Sequence, residues 1–322
     1  MNTENNLTKT QELELLSSLE SRAESPLKFG YIGDGYKNWI RIAEKSRENK
    51  DLEFEEDLLK KESLPFIFRE INNKTETINI IDFGCGDGVP MFPIFEYLTS
   101  LKIKNINYIP VDISQAMLDG SAKNIKKKFK FINITPILFD FEKGEIIEKI
   151  LQISRNEKTH NYFFLLGNTI GNFDNTEKVL SNLKMSMFSD DYLIIGNQIS
   201  NLINTAKIIK YYQEKEKFDF FVRILKNYGM KCYSEEYTIR WNEKKKQIEG
   251  FLVLKEDKKI IIAGRMLQFE KGEEILLFIS KKYIEESIVE MLNKAGFRID
   301  LFTTNKKKDN CIISVSPTRY RS

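Results

Sequence analysis

The stretch "IIDFGCGDGV", residues 80–89, sets an apolar run directly before three glycines, two of which flank a cysteine. A strand buried on both faces of a parallel sheet reads as a continuous apolar run, and a tight glycine turn after it lets backbone N–H groups approach a ligand closely. "INIIDFG", residues 78–84, has that form. The dinucleotide fingerprint spaces its glycines G-x-G-x-x-G, whereas Gly84, Gly86 and Gly88 are spaced G-x-G-x-G. The spacing points to a nucleoside ligand that lacks a pyrophosphate. An ordinary strand-to-helix turn also uses glycine, so the flanking sequence has to decide.

Downstream, strand-like segments alternate with helical patterns: "INYIPVDI" (106–113), "ITPILFDF" (134–141), "NYFFLLG" (161–167) and "YLIIGNQI" (192–199). This alternation predicts an α/β fold with a doubly wound parallel sheet covered by helices on both faces. After Gln198 the rhythm changes. A helical stretch over about 201–228 precedes "CYSEEYTIRW", "QIEGFLVLK" and "KIIIAGRMLQF", three runs that read as antiparallel strands of an inserted α+β subdomain. "KKYIEESIVEMLNKAGF" then reads as an amphipathic helix stopped by Gly296, with "RIDLFTT" and "CIISVSP" as closing strands. The expected organisation is an N-terminal helical lid segment (1–77), a Rossmann-like core (78–199), the inserted substrate-binding subdomain (200–270) and a return to the core sheet (271–322). Within the first segment, helices are expected at 11–24, 37–49 and 52–71, around the aromatic loop "KFGYIGDGYKNW".

The 322 residues allow one elaborated domain or two, and a composition of 41% hydrophobic residues with seven prolines is that of a globular chain. Fifty Lys and Arg against 47 Asp and Glu leave a net charge of +3, too small to argue for a nucleic-acid groove. Three cysteines without paired spacing argue against a disulfide framework or a zinc site, and no metal is expected. No apolar stretch approaches the ~20 residues that span a bilayer, and the polar N-terminus carries no apolar signal core. A cytoplasmic protein without membrane attachment is expected, a monomer or at most a weak dimer.

In open α/β sheets ligands sit beyond the carboxyl ends of the strands. There the sequence offers the glycine turn, then Asp112, 24 residues beyond Gly88, whose carboxylate suits ribose hydroxyls. Asp140 and Phe141 follow the third strand, suited to an adenine amino group and ring. "GNTIGNF", Gly167 to Phe173, follows the fourth. Together these features resemble the class I methyltransferases that use S-adenosylmethionine. The only histidine, His160, falls at the opposite edge of the sheet and is expected at the surface.

The loop "LLGNTIGNF" resembles that of the histidine-specific methyltransferase family, which makes trimethylhistidine for ergothioneine and includes the dimethylallyltryptophan N-methyltransferases. Lys28, Tyr31 and Gly35 match the spacing of a motif near that family's N-terminus, and "QIEGFLVLK" is similar to its acceptor-side strand. The resemblance spans roughly residues 26 to 316. It implies that Gly84, Cys85, Gly86, Asp112, Asp140 and Phe141 hold S-adenosylmethionine, with Tyr31 close by. It implies that Gly167, Thr169 and Asn172 meet the amino and carboxylate groups of an amino acid, that Tyr211 or Tyr212 grips the carboxylate, and that Glu249 occupies the position where the family's glutamate engages the imidazole; Asn168 belongs to the same polar, uncharged loop, which can orient the neutral amine. Asn172, Thr169 and Tyr31 are the candidate catalytic residues.

Two features depart from the family's pattern. Phe251 stands where its histidine enzymes have a serine, and "KDLEFEEDLL" replaces a tyrosine-rich "PEYY" segment. Both changes fall at the side-chain end of the acceptor pocket. The expected activity is therefore N-methylation of an amino-acid α-amine, histidine being the family default and a different, apolar or aromatic side chain being what Phe251 favours. The competing readings are a methyltransferase for an RNA or protein acceptor and a non-catalytic S-adenosylmethionine-binding module.

Overall fold

The computed structural model describes residues 7–49, 53–69, 71, 76–153, 159–199 and 205–318. The first residues of the helical stretches expected from 52 and 201 lie outside these. The chain divides into two compact units, one of residues 1–46 and 202–282, the other of residues 47–201 and 283–322.

The larger unit is built on an eight-stranded sheet. Its strands are β1 (Thr77–Phe83), β2 (Ile106–Asp112), β3 (Asn133–Ile134), β4 (Ile137–Leu138), β5 (Thr159–Leu165) and β6 (Tyr192–Gln198), joined after the insertion by β12 (Phe297–Thr304) and β13 (Asn310–Pro317). The order is β12-β13-β6-β5-β1-β2-β3, with β4 paired to β2 beyond β3. All pairings are parallel except those of β13, which runs antiparallel to β6 and β12. The chain builds outward from β1 through β2, then crosses to β5 on the other side. The switch point thus lies between β1 and β5, where open α/β sheets bind their ligands.

The largely apolar character of β1, with Asn79 and Asp82 as buried exceptions, has a direct cause. Successive strand residues point to opposite faces. Ile81 and Phe83 enter one hydrophobic cluster with Ile109, Val111, Phe163 and Leu193, while Ile78 and Ile80 enter the other with Tyr108, Phe164 and Ile194. Both faces are covered, so no polar alternation is seen.

Two details differ from the sequence expectation. The third strand is not continuous over 134–141 but splits into two-residue pieces, because Pro136 has no N–H to give to the ladder. Asp140 and Phe141 consequently occupy the turn that follows β4. The first helix also begins earlier than the expected 11–24: Thr8 opens helix Lys9–Glu20 with a capping box to Gln11.

At the end of the sheet away from the switch-point turns runs a line of side-chain amides. Asn133 donates to Asn107 (3.4 Å), Asn107 to Asn79 (2.8 Å), Asn79 to Asn161 (2.8 Å) and Asn161 to Asp191 (3.1 Å). His160 lies at this end, 3.4 Å from Glu76.

The other unit contains helix Lys9–Glu20, a 3-10 turn at Leu27–Tyr31, helices Thr205–Tyr212, Lys215–Phe221 and Arg223–Asn227, and five strands. The helical stretch is thus three short helices rather than one. Strands β7 (Tyr237–Asn242), β8 (Gln247–Val253) and β11 (Glu274–Lys281) form a sheet in the order β11-β8-β7. Strands β9 (Lys258–Ile262) and β10 (Arg265–Phe269) form a hairpin whose turn puts Ala263 and Gly264 both at positive φ, 50° and 79°. "EILLFISK", residues 274–281, is a strand that the sequence reading passed over, so the antiparallel structure continues beyond 270.

Candidate active site

The turn after β1 holds Gly84 at φ 68° and Gly88 at φ 73°, a conformation that side chains rarely adopt. A Cβ on Gly88 would also lie 2.5 Å from Ser121 Oγ. The turn is tied down from outside its own residues. Gly84 N–H donates to Val111 O (2.8 Å), and the buried Asp87 carboxylate accepts from Val89 N–H (3.1 Å) and pairs with Arg47 (2.8 Å). Cys85 is buried with its thiol pushed well above the ordinary range by desolvation, which leaves it neutral and suits packing rather than nucleophilic chemistry.

Asp112, at the end of β2, is also buried, and burial raises it to about 7 against the opposing pull of backbone N–H groups from Ser114, Gly86 and Ile113. Its bond from Ser114 N–H measures 2.9 Å. Asp82 within β1 is likewise pushed up to about 7 by burial and accepts the Tyr108 hydroxyl at 2.8 Å. Beyond β4, Asp140 accepts from Glu142 N–H at 3.2 Å, and the Phe141 ring stands edge-on between Phe83 (5.3 Å) and Phe173 (5.9 Å).

The loop after β5 meets the glycine turn. A Cβ built on Gly84 would lie 3.6 Å from the Thr169 methyl and 3.9 Å from the Phe141 ring, so three separate loops of this edge converge on one glycine. The loop itself is rigidly held. Gly167 and Asn168 both take positive φ, 71° and 63°, and Asn168 Oδ1 accepts from Gln198 N–H at 2.5 Å. Thr169 Oγ1 donates to Leu166 O at 2.7 Å. Gly167 is exposed, and the Asn172 amide makes no hydrogen bond among the described residues.

One participant escaped the sequence reading. Glu55, from helix Glu53–Leu58, is buried against this loop and accepts from Gly167 N–H at 3.1 Å. It occupies the space left by Gly196, where a Cβ would come within 2.0 Å of its Oε1. Burial raises its carboxyl to about 7. In sequence it is one of four acids in "EFEED" and looks like part of a solvated helix face.

The remaining candidate residues belong to the other unit. Tyr31 packs on Phe220 (5.0 Å) and Trp39 (6.4 Å). Tyr211 and Tyr212 diverge: Tyr211 reaches Ser46 Oγ (3.4 Å) under the Lys217 ammonium, whereas Tyr212 donates its hydroxyl to Ser280 Oγ (3.0 Å). Glu249 accepts from Asn242 (3.0 Å) and Gln247 (2.6 Å). Its strand neighbours Ile248 and Gly250 pair with Ser280 and Phe278, so Glu249 and Phe251 point to the other face of the sheet from Ser280 and Tyr212. The structure therefore does not bring Glu249 together with Tyr212. The Phe251 ring lies instead beneath the Arg240 guanidinium, at 5.0 Å.

Among the described residues no cluster of three or more His, Cys, Asp or Glu is arranged to hold a metal, and no helix is long and apolar enough to cross a membrane. A glycine cradle open at Gly84, a buried carboxylate at the end of β2 and an aromatic edge at Phe141 fit a nucleoside-bearing methyl donor.

Comparison with solved structures finds an S-adenosylmethionine-dependent methyltransferase from Clostridium acetobutylicum ATCC 824, 11% identical over 80% of this chain and 91% of that one, TM-score 0.42. Magnesium protoporphyrin IX methyltransferase from Synechocystis PCC 6803 is 11% identical over 90% and 98% of the two chains, TM-score 0.46. The CcbJ methyltransferase from Streptomyces caelestis is 11% identical over 75% and 84%, TM-score 0.38. No curated protein matches the chain. The sequence profile described as "Histidine-specific methyltransferase, SAM-dependent" matches residues 11–316. Since that match takes in the glycine turn, the strand-end carboxylates and the loop that meets them, the chain belongs to the histidine-specific, S-adenosylmethionine-dependent methyltransferase family and is an S-adenosylmethionine-dependent methyltransferase.

Proposed function

We propose that the chain methylates the α-amine of a small-molecule amino acid or a close derivative. The observation that carries this reading is the approach of the Thr169 side chain and the Phe141 ring to Gly84, which sets a polar, uncharged loop beside the cofactor turn. Gly84, Cys85 and Gly86 would hold S-adenosylmethionine by their backbone, Asp112 its ribose and Asp140 with Phe141 its adenine. When bound, the cofactor supplies a methyl group already activated by the sulfonium.

The chain's own residues then have mainly to bind and aim. Correct placement of an attacking group can be worth up to ~7–11 kcal/mol. The Asn172 amide, with its side chain uncommitted, offers both a donor and an acceptor to an amino-acid head group. An uncharged loop also tolerates the neutral amine that must be present at attack, where a carboxylate would hold the ammonium form. An apolar or aromatic acceptor side chain is favoured over histidine on the sequence alone, because Phe251 stands where the family's histidine enzymes have a serine.

The test is a turnover screen by mass spectrometry with S-adenosylmethionine, the twenty amino acids and biogenic amines. Methylation of an amino acid on its α-nitrogen supports the reading. Silence across the panel, or methylation only of amines that lack a carboxylate, refutes it.

A further inference from the structure

In the unit of residues 47–201 and 283–322, the sheet is shaped around the Glu55 carboxyl. Glycine follows Leu193, Ile194 and Ile195 in β6, and Glu55 Oε1 enters the space that a side chain at Gly196 would need. A glycine inside a strand often marks such a close approach by another group. Among the described residues no cation pairs with Glu55, and its one hydrogen bond comes from Gly167 N–H. Burying a carboxyl without a counter-ion is unfavourable, and an apolar side chain of similar size would fill the site at lower cost. What the carboxyl adds is a hydrogen-bond acceptor at this point of the loop.

The consequence runs along the backbone. Gly167 N–H points inward to Glu55 (3.1 Å), and Asn168 N–H points inward to Gly196 O (3.3 Å). The described residues contain no cis peptide bond, so each carbonyl faces opposite to the N–H of its own peptide plane. The inward Asn168 N–H therefore turns Gly167 C=O outward, away from β6. Leu166 O is taken by the Thr169 hydroxyl (2.7 Å) and Asn168 O by Gly171 N–H (3.2 Å), whereas Gly167 O receives no hydrogen bond among the described residues. Gly167 is exposed, so this carbonyl can accept from a ligand.

Nothing steric defends that orientation. Gly167 lies at φ 71°, and a Cβ there would meet no atom within 4 Å, so the backbone is free to turn unless its N–H is held. The Glu55 contact supplies the hold.

We propose that Glu55 is a positioning residue for the acceptor: it fixes Gly167 N–H and so keeps the Gly167 carbonyl turned out to receive an N–H of the acceptor's amine. This role rests on the reading of the loop after β5 as the seat of an amino-acid head group. No proton has to move to or from Glu55, since an oxygen of the carboxyl accepts from N–H in either protonation state, as does the amide oxygen of glutamine.

The experiment measures methyl transfer by the full chain from saturating S-adenosylmethionine to an equimolar mixture of the twenty amino acids, with products quantified by mass spectrometry. Glu55→Met fills the same space without an oxygen, and Glu55→Gln retains one. Glu55→Met should raise the apparent KM for the mixture about tenfold, the factor for one lost hydrogen bond of this kind. Its kcat should stay within about threefold of the wild type, the pattern of lost ground-state binding. Glu55→Gln should keep both constants within about threefold of the wild type. S-adenosylmethionine affinity, by calorimetry, should be the same in all three proteins, and far-UV circular dichroism reports folding. Gly196→Ala crowds the carboxyl from the strand side and should raise KM in the same sense, which provides the measurement where Glu55→Met does not fold.

An unchanged KM in Glu55→Met, or in Gly196→Ala where Glu55→Met does not fold, would overturn the role. So would equal impairment of Glu55→Gln and Glu55→Met, or a parallel fall in S-adenosylmethionine affinity. Each of these outcomes, with a wild type that turns over amino acids, leaves the proposed function intact. A wild type that methylates none of the twenty removes the proposed function and this role with it.

Discussion

Replacing Glu55 with glutamine isolates one buried charge and should change how the stability of the sheet unit depends on pH. The carboxyl is raised from 4.5 to about 7, with burial as the leading cause and the Gly167 N–H acting against it. A carboxyl with a raised folded-state value binds its proton more tightly in the folded than in the unfolded chain. Stability therefore falls as pH rises between 4.5 and about 7, then levels off. At 1.36 kcal/mol per unit, the full loss is about 3 kcal/mol. Glutamine stays neutral throughout, and its amide oxygen can still accept from Gly167 N–H. Relative to the wild type, Glu55→Gln should gain about 3 kcal/mol between pH 4.5 and pH 8. Asp82, Asp112 and Asp191 are also raised to about 7, but they are present in both proteins and cancel in the difference.

The assay is urea unfolding at four pH values, followed by far-UV circular dichroism and by hydrogen exchange of the peptide that contains Gly167. Tryptophan fluorescence is the wrong probe, since Trp39 and Trp241 both belong to the other unit. Parallel stability curves for the two proteins, or a wild type that gains on the variant as pH rises, would refute the assignment of a strained buried charge at this loop.

Three further outcomes follow from the same geometry. Gly196→Ala drives a methyl to within 2.0 Å of Glu55 and should cost about 1–3 kcal/mol by overpacking, a loss that Glu55→Ala in the same chain should partly restore; additive costs in the double variant would count against a direct clash. Asp112→Ala should weaken S-adenosylmethionine binding while Asn172→Ala leaves it intact and weakens the acceptor, which calorimetry and steady-state kinetics separate. If ribose hydroxyls donate to Asp112, cofactor affinity should fall by up to about tenfold per pH unit below 7, and Asp112→Asn should flatten that profile; a pH-independent wild type would contradict the role.

The central sheet was legible because a strand with both faces covered leaves a predominantly apolar signature, as β1 and β5 do. The ends of strands were less so. Pro136 was visible in "ITPILF", yet its effect of dividing one strand into two depends on its place in the ladder with β2. "EILLFISK" stood directly before a strongly amphipathic helix and lost its identity to that neighbour. Tyr211 and Tyr212 are indistinguishable in sequence, but adjacent helical residues point about 100° apart, so only packing separates the one that meets Ser280. Glu55 was hidden because it stands among like charges that normally face solvent, and nothing in a one-dimensional pattern marks the single member that is drawn inward.

The row of amides through Asn107, Asn79 and Asn161 bears on how this sheet tolerates change. Each amide both gives and receives a hydrogen bond, so a slip of one residue in any of these strands would break links on both sides and turn a carboxamide into an apolar cluster. Alignment is thereby anchored at the end of the sheet remote from the glycine turn. The loops at the opposite end are released from the task of keeping the strands in step, and substitutions there can accumulate as changes of chemistry without becoming changes of fold.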